Sequence, residues 1–265
     1  MTRTLSDRRL SHLAAMVHAH AGISLGHEQR SMIEARLAKY LRRTGRSVEA
    51  LVAGIDGESS EMLDELIDVL TTNFTSFFRE VQHFDWFGRW LTERRKPARI
   101  WCGACATGEE AYSLAITMRE VNENLGQLYA SSLYASDLSR NALATAQRGI
   151  YPRTHLAAMN PDRVRRWFQR GVGDHDGTVR VKGELRDLVT FTRHNILEPP
   201  PHDALDVIFL RNVMIYFDDE TAIRVIEHMR SALAPGGYLV VGHAENVRHL
   251  ARGFQLHGHT LLEKQ

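Results

Sequence analysis

Residues 99–113, RIWCGACATGEEAYS, combine a short apolar strand, a loop of small residues and the start of a helix. α/β folds bind nucleotide-like ligands at such a junction, because small residues let the backbone approach the ligand closely. Glu109 and Glu110 open the helix, where carboxylates would repel a pyrophosphate but attract the sulfonium and ammonium groups of S-adenosylmethionine. The junction therefore favours methyl transfer over hydride transfer. Acidic residues in a first helical turn also suit the helix dipole without any ligand, and on this segment alone both interpretations stand.

Polar residues follow three of the predicted strands, and ligands of open α/β sheets bind beyond the carboxyl ends of the strands. Asp137 ends YASD and lies 29 residues after Gly108 (137 − 108 = 29), where a carboxylate can accept both ribose hydroxyls or, alternatively, cap the next helix. Asn195 either presents its amide to an adenine edge or forms a turn. Arg211 ends the apolar strand DVIFL, which puts a charge beside the ligand crevice. Tyr216 follows within reach of that crevice, or belongs to the core.

The elements that must position these residues are predicted from the spacing of apolar side chains. Up to about Leu70, apolar residues recur every three or four positions, which predicts a small all-helical domain. Gly45 is predicted to end the second helix and Ser47 to cap the third. After an aromatic-rich segment, strands alternate with helices, which is typical of a mainly parallel, doubly wound sheet. The predicted strands are 99–102, 128–136, 189–192, 206–210 and 238–242.

Residues 170–187 interrupt this alternation with a glycine-rich turn followed by the alternating sequence GTVRVK. This pattern predicts a β-hairpin insertion. Such an insertion is either a tolerated decoration or an exposed strand edge that recruits a peptide.

Composition narrows the class of protein. The net charge of +1 provides no overall electrostatic attraction for nucleic acid. The absence of a run of about 20 apolar residues or a signal peptide predicts a cytoplasmic protein without membrane insertion.

Cys102 and Cys105 are the only cysteines and form a C-x-x-C, the spacing of a redox pair or half a zinc site. Because no histidines accompany them at a metal-ligand spacing, we expect no metal and interpret both as small loop residues in a reducing compartment.

Six motifs occur in order along nearly the whole chain: TTNFTSFFRE (71–80), TGEEAYS (107–113), ASD (135–137), the hairpin segment, LRNVMIYF (210–217) and GHAEN (242–246). Together with GISL and RSMIEARLAKYLRR in the helical part, they resemble the CheR-type chemotaxis receptor methyltransferases. The resemblance implies a class I S-adenosylmethionine-dependent methyltransferase sheet. It also implies methyl transfer to glutamate side chains on the cytoplasmic helices of chemoreceptors, yielding γ-glutamyl methyl esters and S-adenosylhomocysteine.

The resemblance further implies roles for individual residues. Arg79 and Tyr216 would lie nearest the transferred methyl group and the incoming glutamate. The cofactor pocket would be formed by Asn73, Thr75, Arg79, Glu109, Asp137, Asn195, Ile196, Leu210 and Arg211.

Cys102 and Cys105 replace small residues of the loop that is commoner in the family, which implies activity that is sensitive to oxidation. A glutamate with a pKa of about 4.3 is ionised at neutral pH, so the reaction requires no general base.

The implied organisation is a receptor-docking domain at 1–72, a linker at 73–97 that contributes to the pocket, and a catalytic domain at 98–265 with a β-subdomain insertion at about 170–187. In the docking domain, Arg36, Lys39 and Arg43 share one helix face and suit glutamate-rich receptor helices, which would recruit the enzyme to receptor arrays. In some members the β-subdomain, here including Gly171 and Gly173, binds a peptide at the C-terminus of the receptor.

Two alternatives remain at this stage. One is a methyltransferase on the same sheet that acts on small molecules or other proteins; the basic helix face and the hairpin favour a helical protein substrate instead. The other is a module that binds the cofactor or a nucleotide and docks on a receptor without turnover. The presence of Arg79, Asp137, Arg211 and Tyr216 favours an enzyme.

Overall fold

The computed structural model describes residues 7–24, 30–56, 60–70, 74–247 and 249–265. The chain folds into two compact units. The first comprises Met1–Thr72 and Tyr216–Ala222, and the second comprises Asn73–Ile215 and Ile223–Gln265. Within the described ranges, no helix is both long and apolar enough to cross a bilayer.

The first unit is helical, as predicted. Its helices are α1 (Asp7–Ala21), α2 (Arg30–Thr44), α3 (Val48–Asp56) and α4 (Ser60–Leu70). The apolar spacing places one side of each helix in a common core, which includes Leu13, Val17, Ile33, Leu37, Tyr40, Leu51, Leu66 and Leu70.

Two predicted helix boundaries in this unit are confirmed. Gly45 ends α2 in a left-handed conformation (φ 67°), and its N–H donates to the carbonyl of Leu41 at 2.9 Å. The Ser47 hydroxyl accepts a hydrogen bond from the N–H of Ala50 at 3.1 Å, which caps α3.

The second unit contains a seven-stranded sheet and a three-stranded sheet. In chain order the strands are β1 (Arg99–Gly103), β2 (Ser132–Asp137), β3 (Ile150–Pro152), β4 (Phe168–Arg170), β5 (Thr178–Val181), β6 (Val189–Arg193), β7 (Leu205–Leu210), β8 (Leu233–Val240), β9 (Phe254–His257) and β10 (Leu261–Lys264). The remaining helices are α5 (Gln82–Arg94), α6 (Glu109–Asn124), α7 (Arg140–Arg148), α8 (Pro161–Trp167), α9 (Gly183–Arg186) and α10 (Asp219–Ala232).

The large sheet has the order β6-β2-β1-β7-β8-β10-β9. Neighbours from β6 to β8 pair in parallel, whereas β10 pairs antiparallel to both β8 and β9. The central strands β1 and β7 are buried almost throughout, which explains their continuous apolar sequence. The predicted fold class, a mainly parallel doubly wound sheet with an all-helical N-terminal part, is confirmed.

Three details of the predicted sheet are wrong. The second strand begins at Ser132 rather than 128, because its register pairs Ser132 with Arg99, the first residue of β1, and earlier residues have no strand partner there. The fifth predicted strand, 238–242, overlaps only the end of β8, which runs from Leu233 to Val240. The antiparallel pair β9 and β10 was not predicted, because each strand has only four residues and β9 is almost wholly exposed.

The predicted hairpin insertion is confirmed and extended. Strands β4 and β5 pair antiparallel, and β3, which lies before α8, pairs with the other side of β5. The small sheet therefore has the order β3-β5-β4, with β3 and β4 as its edges. We call this sheet the β-subdomain.

Candidate active site

The small-residue loop between β1 and α6 is folded tightly against β2. The N–H of Cys105 donates to the carbonyl of Ser136 at 2.9 Å, at the carboxyl end of β2. Gly108 has φ 94°, and a Cβ at this position would lie 2.7 Å from the Cβ of Ala146. Only glycine fits there, which is the physical basis of the loop signal in the sequence.

Asp137, at the end of β2, fastens this loop with both carboxylate oxygens. Oδ2 accepts from the N–H of Ala106 at 2.8 Å, and Oδ1 accepts from the N–H of Ser139 at 2.8 Å. The helix α7 is capped by Ser139, whose hydroxyl accepts from the N–H of Ala142. The alternative that Asp137 is the N-cap is therefore wrong, and its carboxylate instead joins the loop to the strand end where a ribose is expected.

Arg211 follows β7 and is the centre of a buried charge network. Its side chain is 0% exposed; Nη1 donates to Oε2 of Glu110 at 2.6 Å, and Nη2 lies 3.1 Å from Oε2 of Glu80. Nη2 also donates to the carbonyl of Arg79 at 2.6 Å. Burial acts to lower the pKa of Arg211, but the two carboxylates outweigh it and raise that pKa. The guanidinium thus joins three segments that are distant in sequence.

The two carboxylates respond to this network in opposite directions. Burial raises the pKa of Glu110, although the charge of Arg211 opposes the rise. Burial also acts to raise the pKa of Glu80, but the charge and hydrogen bond of Arg211 outweigh it, and the net pKa is lowered.

Backbone strain is concentrated in the same segments. The described part of the chain has seven non-glycine residues with positive φ, and five of them lie in the loop after β1, in the segment before α5 or directly after Arg211. These five are Phe78, Glu80, Ala104, Ala106 and Asn212. Strained backbone of this kind, which costs roughly 1–3 kcal/mol per residue, clusters at functional sites.

Glu245 is a structural carboxylate whose role was not predicted from the sequence. It accepts hydrogen bonds from the backbone N–H groups of Gly242 (2.5 Å), Val213 (2.8 Å) and Met214 (2.7 Å). It therefore holds the segment after β8 against the segment after β7. The motif GHAEN (242–246), which contains Glu245, is the feature of the sequence that could have identified this residue.

The structure separates the roles of the two acidic residues that open α6. Glu109 has a side chain only 1% exposed; Oε2 accepts from the hydroxyl of Thr107 at 2.6 Å, and Oε1 lies 3.1 Å from Nδ1 of His155. Burial raises the pKa of Glu109. The Glu110 side chain is 12% exposed. The predicted contact between Glu109 and the cofactor stays a prediction, and Glu110 is the more accessible carboxylate of the pair.

Other predicted pocket residues surround the carboxyl ends of β1 and β7. A Cβ at Gly103 would lie 3.1 Å from Leu210 Cδ1 and 3.8 Å from Ile196 Cγ2, so these two side chains meet at the end of β1. The Asn195 side-chain oxygen accepts from the N–H of Leu197 at 3.1 Å, as the turn alternative predicts, and the adenine contact stays a prediction.

The segment before α5 is described from residue 74, so the predicted pocket residue Asn73 lies outside the described residues. Thr75 is half-buried. The Arg79 side chain is half-buried; Nη1 donates to the Phe74 carbonyl at 3.2 Å, and the guanidinium lies 5.8 Å from the centre of the Phe74 ring. Tyr216 belongs to the first unit, where its carbonyl accepts from the N–H of Ser24.

The predicted docking residues differ in their surroundings. Lys39 and Arg43 are exposed on α2, whereas Arg36 is half-buried and donates to the carbonyl of Leu70 at 2.9 Å.

In the β-subdomain, a Cβ at Gly171 would lie 2.0 Å from the carbonyl oxygen of His175, so the turn requires glycine there. Gly173 has a left-handed backbone (φ 59°) and open space around it.

Comparison with known proteins agrees with this geometry. Residues 73–261 match the family described as CheR methyltransferase, SAM binding domain, and residues 8–71 match CheR methyltransferase, all-alpha domain. The chain belongs to the CheR methyltransferase family. This CheR methyltransferase is an S-adenosylmethionine-dependent enzyme, which confirms the predicted cofactor and enzyme class.

Its relatives match over nearly their whole length. A chemotaxis protein methyltransferase of Salmonella typhimurium is 38% identical, with 97% of this chain and 90% of the relative covered. The Escherichia coli K12 protein of the same name is 37% identical, with 97% and 91% covered. Chemotaxis protein methyltransferase 2 of Pseudomonas aeruginosa is 40% identical, with 91% and 87% covered.

The residues of this CheR methyltransferase fit the cofactor implied by its family. The loop after β1 packs closely against α7, because a Cβ at Gly108 would collide with Ala146, so this packing requires glycine. Three carboxylates, Glu109, Glu110 and Asp137, contact or adjoin this loop. Negative charge around a loop of small residues suits a sulfonium cofactor better than a phosphate.

Cys102 and Cys105 are expected to be inert in the native CheR fold. Both are buried, and burial together with nearby carboxylates raises the pKa of each thiol well above its usual value, so almost no reactive thiolate exists at neutral pH. We predict that a thiol-specific reagent modifies neither cysteine in native protein and modifies both after unfolding in guanidinium. Rapid modification of either thiol in the native protein would contradict this prediction and support the oxidation sensitivity implied by the loop sequence.

Proposed function

We propose that this protein transfers a methyl group from S-adenosylmethionine to glutamate side chains on the cytoplasmic helices of chemoreceptors. The products are a γ-glutamyl methyl ester and S-adenosylhomocysteine. The observation that carries the proposal is the loop after β1, which needs small residues and is surrounded by carboxylates, within a chain that belongs to the CheR family. The relatives named chemotaxis protein methyltransferase support a chemoreceptor as the acceptor.

The cofactor site is proposed to comprise the residues implied by the family motifs. Asp137 would hold the ribose, and Glu109, with Glu110 beside it, would attract the methionine ammonium group. Arg211 would keep these segments together through the network described above. The other proposed members are Asn73, Thr75, Arg79, Asn195, Ile196 and Leu210.

The chain has a modest chemical task in this reaction, because the bound cofactor supplies an activated methyl group. The acceptor glutamate is already ionised at neutral pH, so the protein must orient a carboxylate and exclude water rather than remove a proton. Arg79 would orient the carboxylate through paired hydrogen bonds. Tyr216 would donate to the same group or line the path of the methyl group.

The activity is tested with S-adenosylmethionine that carries a labelled methyl group and with purified cytoplasmic receptor fragments. We expect label on the receptor fragment, and we expect mild base to release it, since carboxylate esters hydrolyse under conditions that leave N-methyl groups intact. Tight cofactor binding without label on any receptor fragment would contradict the proposed function.

The role of Arg79 makes a separate prediction. Arg79→Ala removes a charged hydrogen-bonding group worth about 1.5–3 kcal/mol, so transfer at saturating cofactor should fall by about 10–100-fold. Cofactor affinity should change by less than about tenfold. Arg89→Ala, on the exposed side of α5, is the matched control and should leave both quantities unchanged. Equal transfer rates for Arg79→Ala and the native enzyme at saturating substrate would refute this role.

The helical domain at 1–72 is proposed to dock on receptor helices through the exposed basic side of α2. Because Arg36 already donates to the end of α4, the better probe of docking is the double variant Lys39→Glu/Arg43→Glu. It should slow receptor methylation by about tenfold at low ionic strength, less at higher salt, and leave cofactor affinity unchanged. The control Arg224→Glu/Arg252→Glu has the same charge change on exposed residues of the second unit. An equal effect of the two double variants would contradict specific docking.

The roles of the other segments and the cellular location are also proposed from the family motifs. Residues 73–97 would contribute to the cofactor pocket, and residues 98–265 would form the catalytic domain. The β-subdomain, with Gly171 and Gly173 in its turn, would bind a receptor C-terminal peptide at an edge, β3 or β4. The enzyme would be cytoplasmic and recruited to receptor arrays through these two docking surfaces, without contact to nucleic acid.

A further inference from the structure

Glu80, His83 and His243 meet next to the Arg211 network. Nδ1 of His83 lies 3.5 Å from Oε2 of Glu80, and Nδ1 of His243 lies 3.1 Å from the same oxygen. One candidate ligand atom from each residue lies within 4.8 Å of the other two. Glu80 and His83 lie three positions apart, but His243 lies 163 positions after Glu80, so the complete ligand set was not visible in the sequence.

His83 has a nitrogen that the protein itself leaves without a partner. Its side chain is 6% exposed, Nε2 lies 2.9 Å from the hydroxyl oxygen of Thr260, and the buried Nδ1 has no hydrogen bond. If Nε2–H donates to Thr260, the lone pair of Nδ1 faces the Glu80 carboxylate, and two acceptors oppose each other. With the other tautomer, 3.5 Å is too long for a good hydrogen bond between Nδ1–H and Glu80. A cation between the two atoms satisfies both.

The distances and the donor set suit one class of cation. Two ligands that each lie 2.0–2.1 Å from a tetrahedral metal are about 3.3–3.4 Å apart, and the observed 3.1 and 3.5 Å bracket this separation. Two imidazoles and one carboxylate form a known three-ligand set for Zn²⁺ that leaves a fourth position open.

We propose that Glu80, His83 and His243 bind a divalent transition-metal ion, with Zn²⁺ as the best match. Thr260 orients His83 by holding its other ring nitrogen, as outer partners of metal-bound histidines do. Oε2 of Glu80 also accepts from Nη2 of Arg211 at 3.1 Å and from the backbone N–H of His243 at 3.3 Å, and Oε1 accepts from Asn212, so these donors hold the carboxylate beside the two imidazoles. The site is independent of the proposed receptor substrate, and it differs from the expectation of no metal drawn from the sequence.

The test is equilibrium dialysis of tag-free, chelator-treated protein against Zn²⁺, followed by metal analysis. We expect one Zn²⁺ per native chain and a loss of affinity of more than about 100-fold in His83→Gln and His243→Gln, since removal of a ligand exceeds the 10–100-fold effect of an outer partner. His243 is 47% exposed, so His243→Gln should stay folded even if His83→Gln does not; circular dichroism checks this.

The matched control is His257→Gln. This histidine pairs with Glu263 at 2.6 Å and belongs to no three-ligand group in the described part of the chain, so its variant should bind Zn²⁺ like the native protein. Co²⁺ provides a second readout, because tetrahedral coordination produces intense visible absorption that His243→Gln should abolish. Absence of stoichiometric Zn²⁺ in the native protein, or an unchanged affinity in folded His243→Gln, would overturn the proposal.

Discussion

Replacement of Arg211 by methionine is expected to lower the free energy of unfolding of this protein by about 3–5 kcal/mol. The substitution keeps an apolar side chain in the space but leaves the carboxylates of Glu80 and Glu110 without the guanidinium between them. Removal of one partner from a buried ion pair is costly because the remaining charges are desolvated and uncompensated. Urea unfolding, with the slope compared between variants, measures the change.

The control for this prediction is Arg230→Met. Arg230 pairs with Glu227 at 2.6 Å on α10, but its side chain is 40% exposed, so its loss should change stability by less than about 1 kcal/mol. The double variant Arg211→Met/Glu110→Gln should recover part of the stability, since it removes one of the two unpaired charges. If Arg211→Met unfolds within about 1 kcal/mol of the native protein, the network does not stabilise the fold.

Asp137→Asn is expected to weaken binding of S-adenosylmethionine by about 10–100-fold. Both carboxylate oxygens accept from backbone N–H groups, and the amide of asparagine can accept with only one of its two terminal atoms. The variant loses a hydrogen bond to a charged group, worth about 1.5–3 kcal/mol, at the position where the ribose is proposed to bind. Calorimetric titration measures the affinity, and thermal unfolding measures stability alongside it.

Asp187→Asn provides the control for Asp137→Asn, because Asp187 is exposed at the end of α9 and its neutralisation makes the same charge change. Its cofactor affinity should equal that of the native enzyme. A variant Asp137→Asn that loses stability but binds the cofactor normally would show that Asp137 only fastens the loop to β2.

Local chemistry explains why much of the fold was predictable. The tight loop of small residues after β1 was predicted correctly, because a Cβ at Gly108 collides with Ala146 and only glycine fits there. The helix boundaries at Gly45 and Ser47 were predicted correctly because backbone geometry within a few residues sets them. The central strands were found because burial on both faces leaves a continuous apolar run, as in β7.

The parts that were missed depend on partners distant in sequence. The start of β2 at Ser132 is set by its pairing with β1. The partners of Arg211 are Glu110, 101 residues away, and Glu80, 131 residues away, so the sequence indicated a charge at the strand end without its ion pairs. Glu245 was missed for the same reason, since its role depends on backbone groups some 30 residues earlier.

The most direct test of the proposed function is to locate the transferred methyl group. Cytoplasmic receptor fragments are incubated with the enzyme and S-adenosylmethionine, and the products are sequenced by tandem mass spectrometry beside a reaction that contains Asp137→Asn. We predict an added methyl group on receptor glutamate side chains, which is lost after mild base and strongly reduced with the variant. A methyl group on another residue type, or unmodified receptor in the presence of enzyme that binds the cofactor, would contradict the assignment as a receptor glutamate methyltransferase.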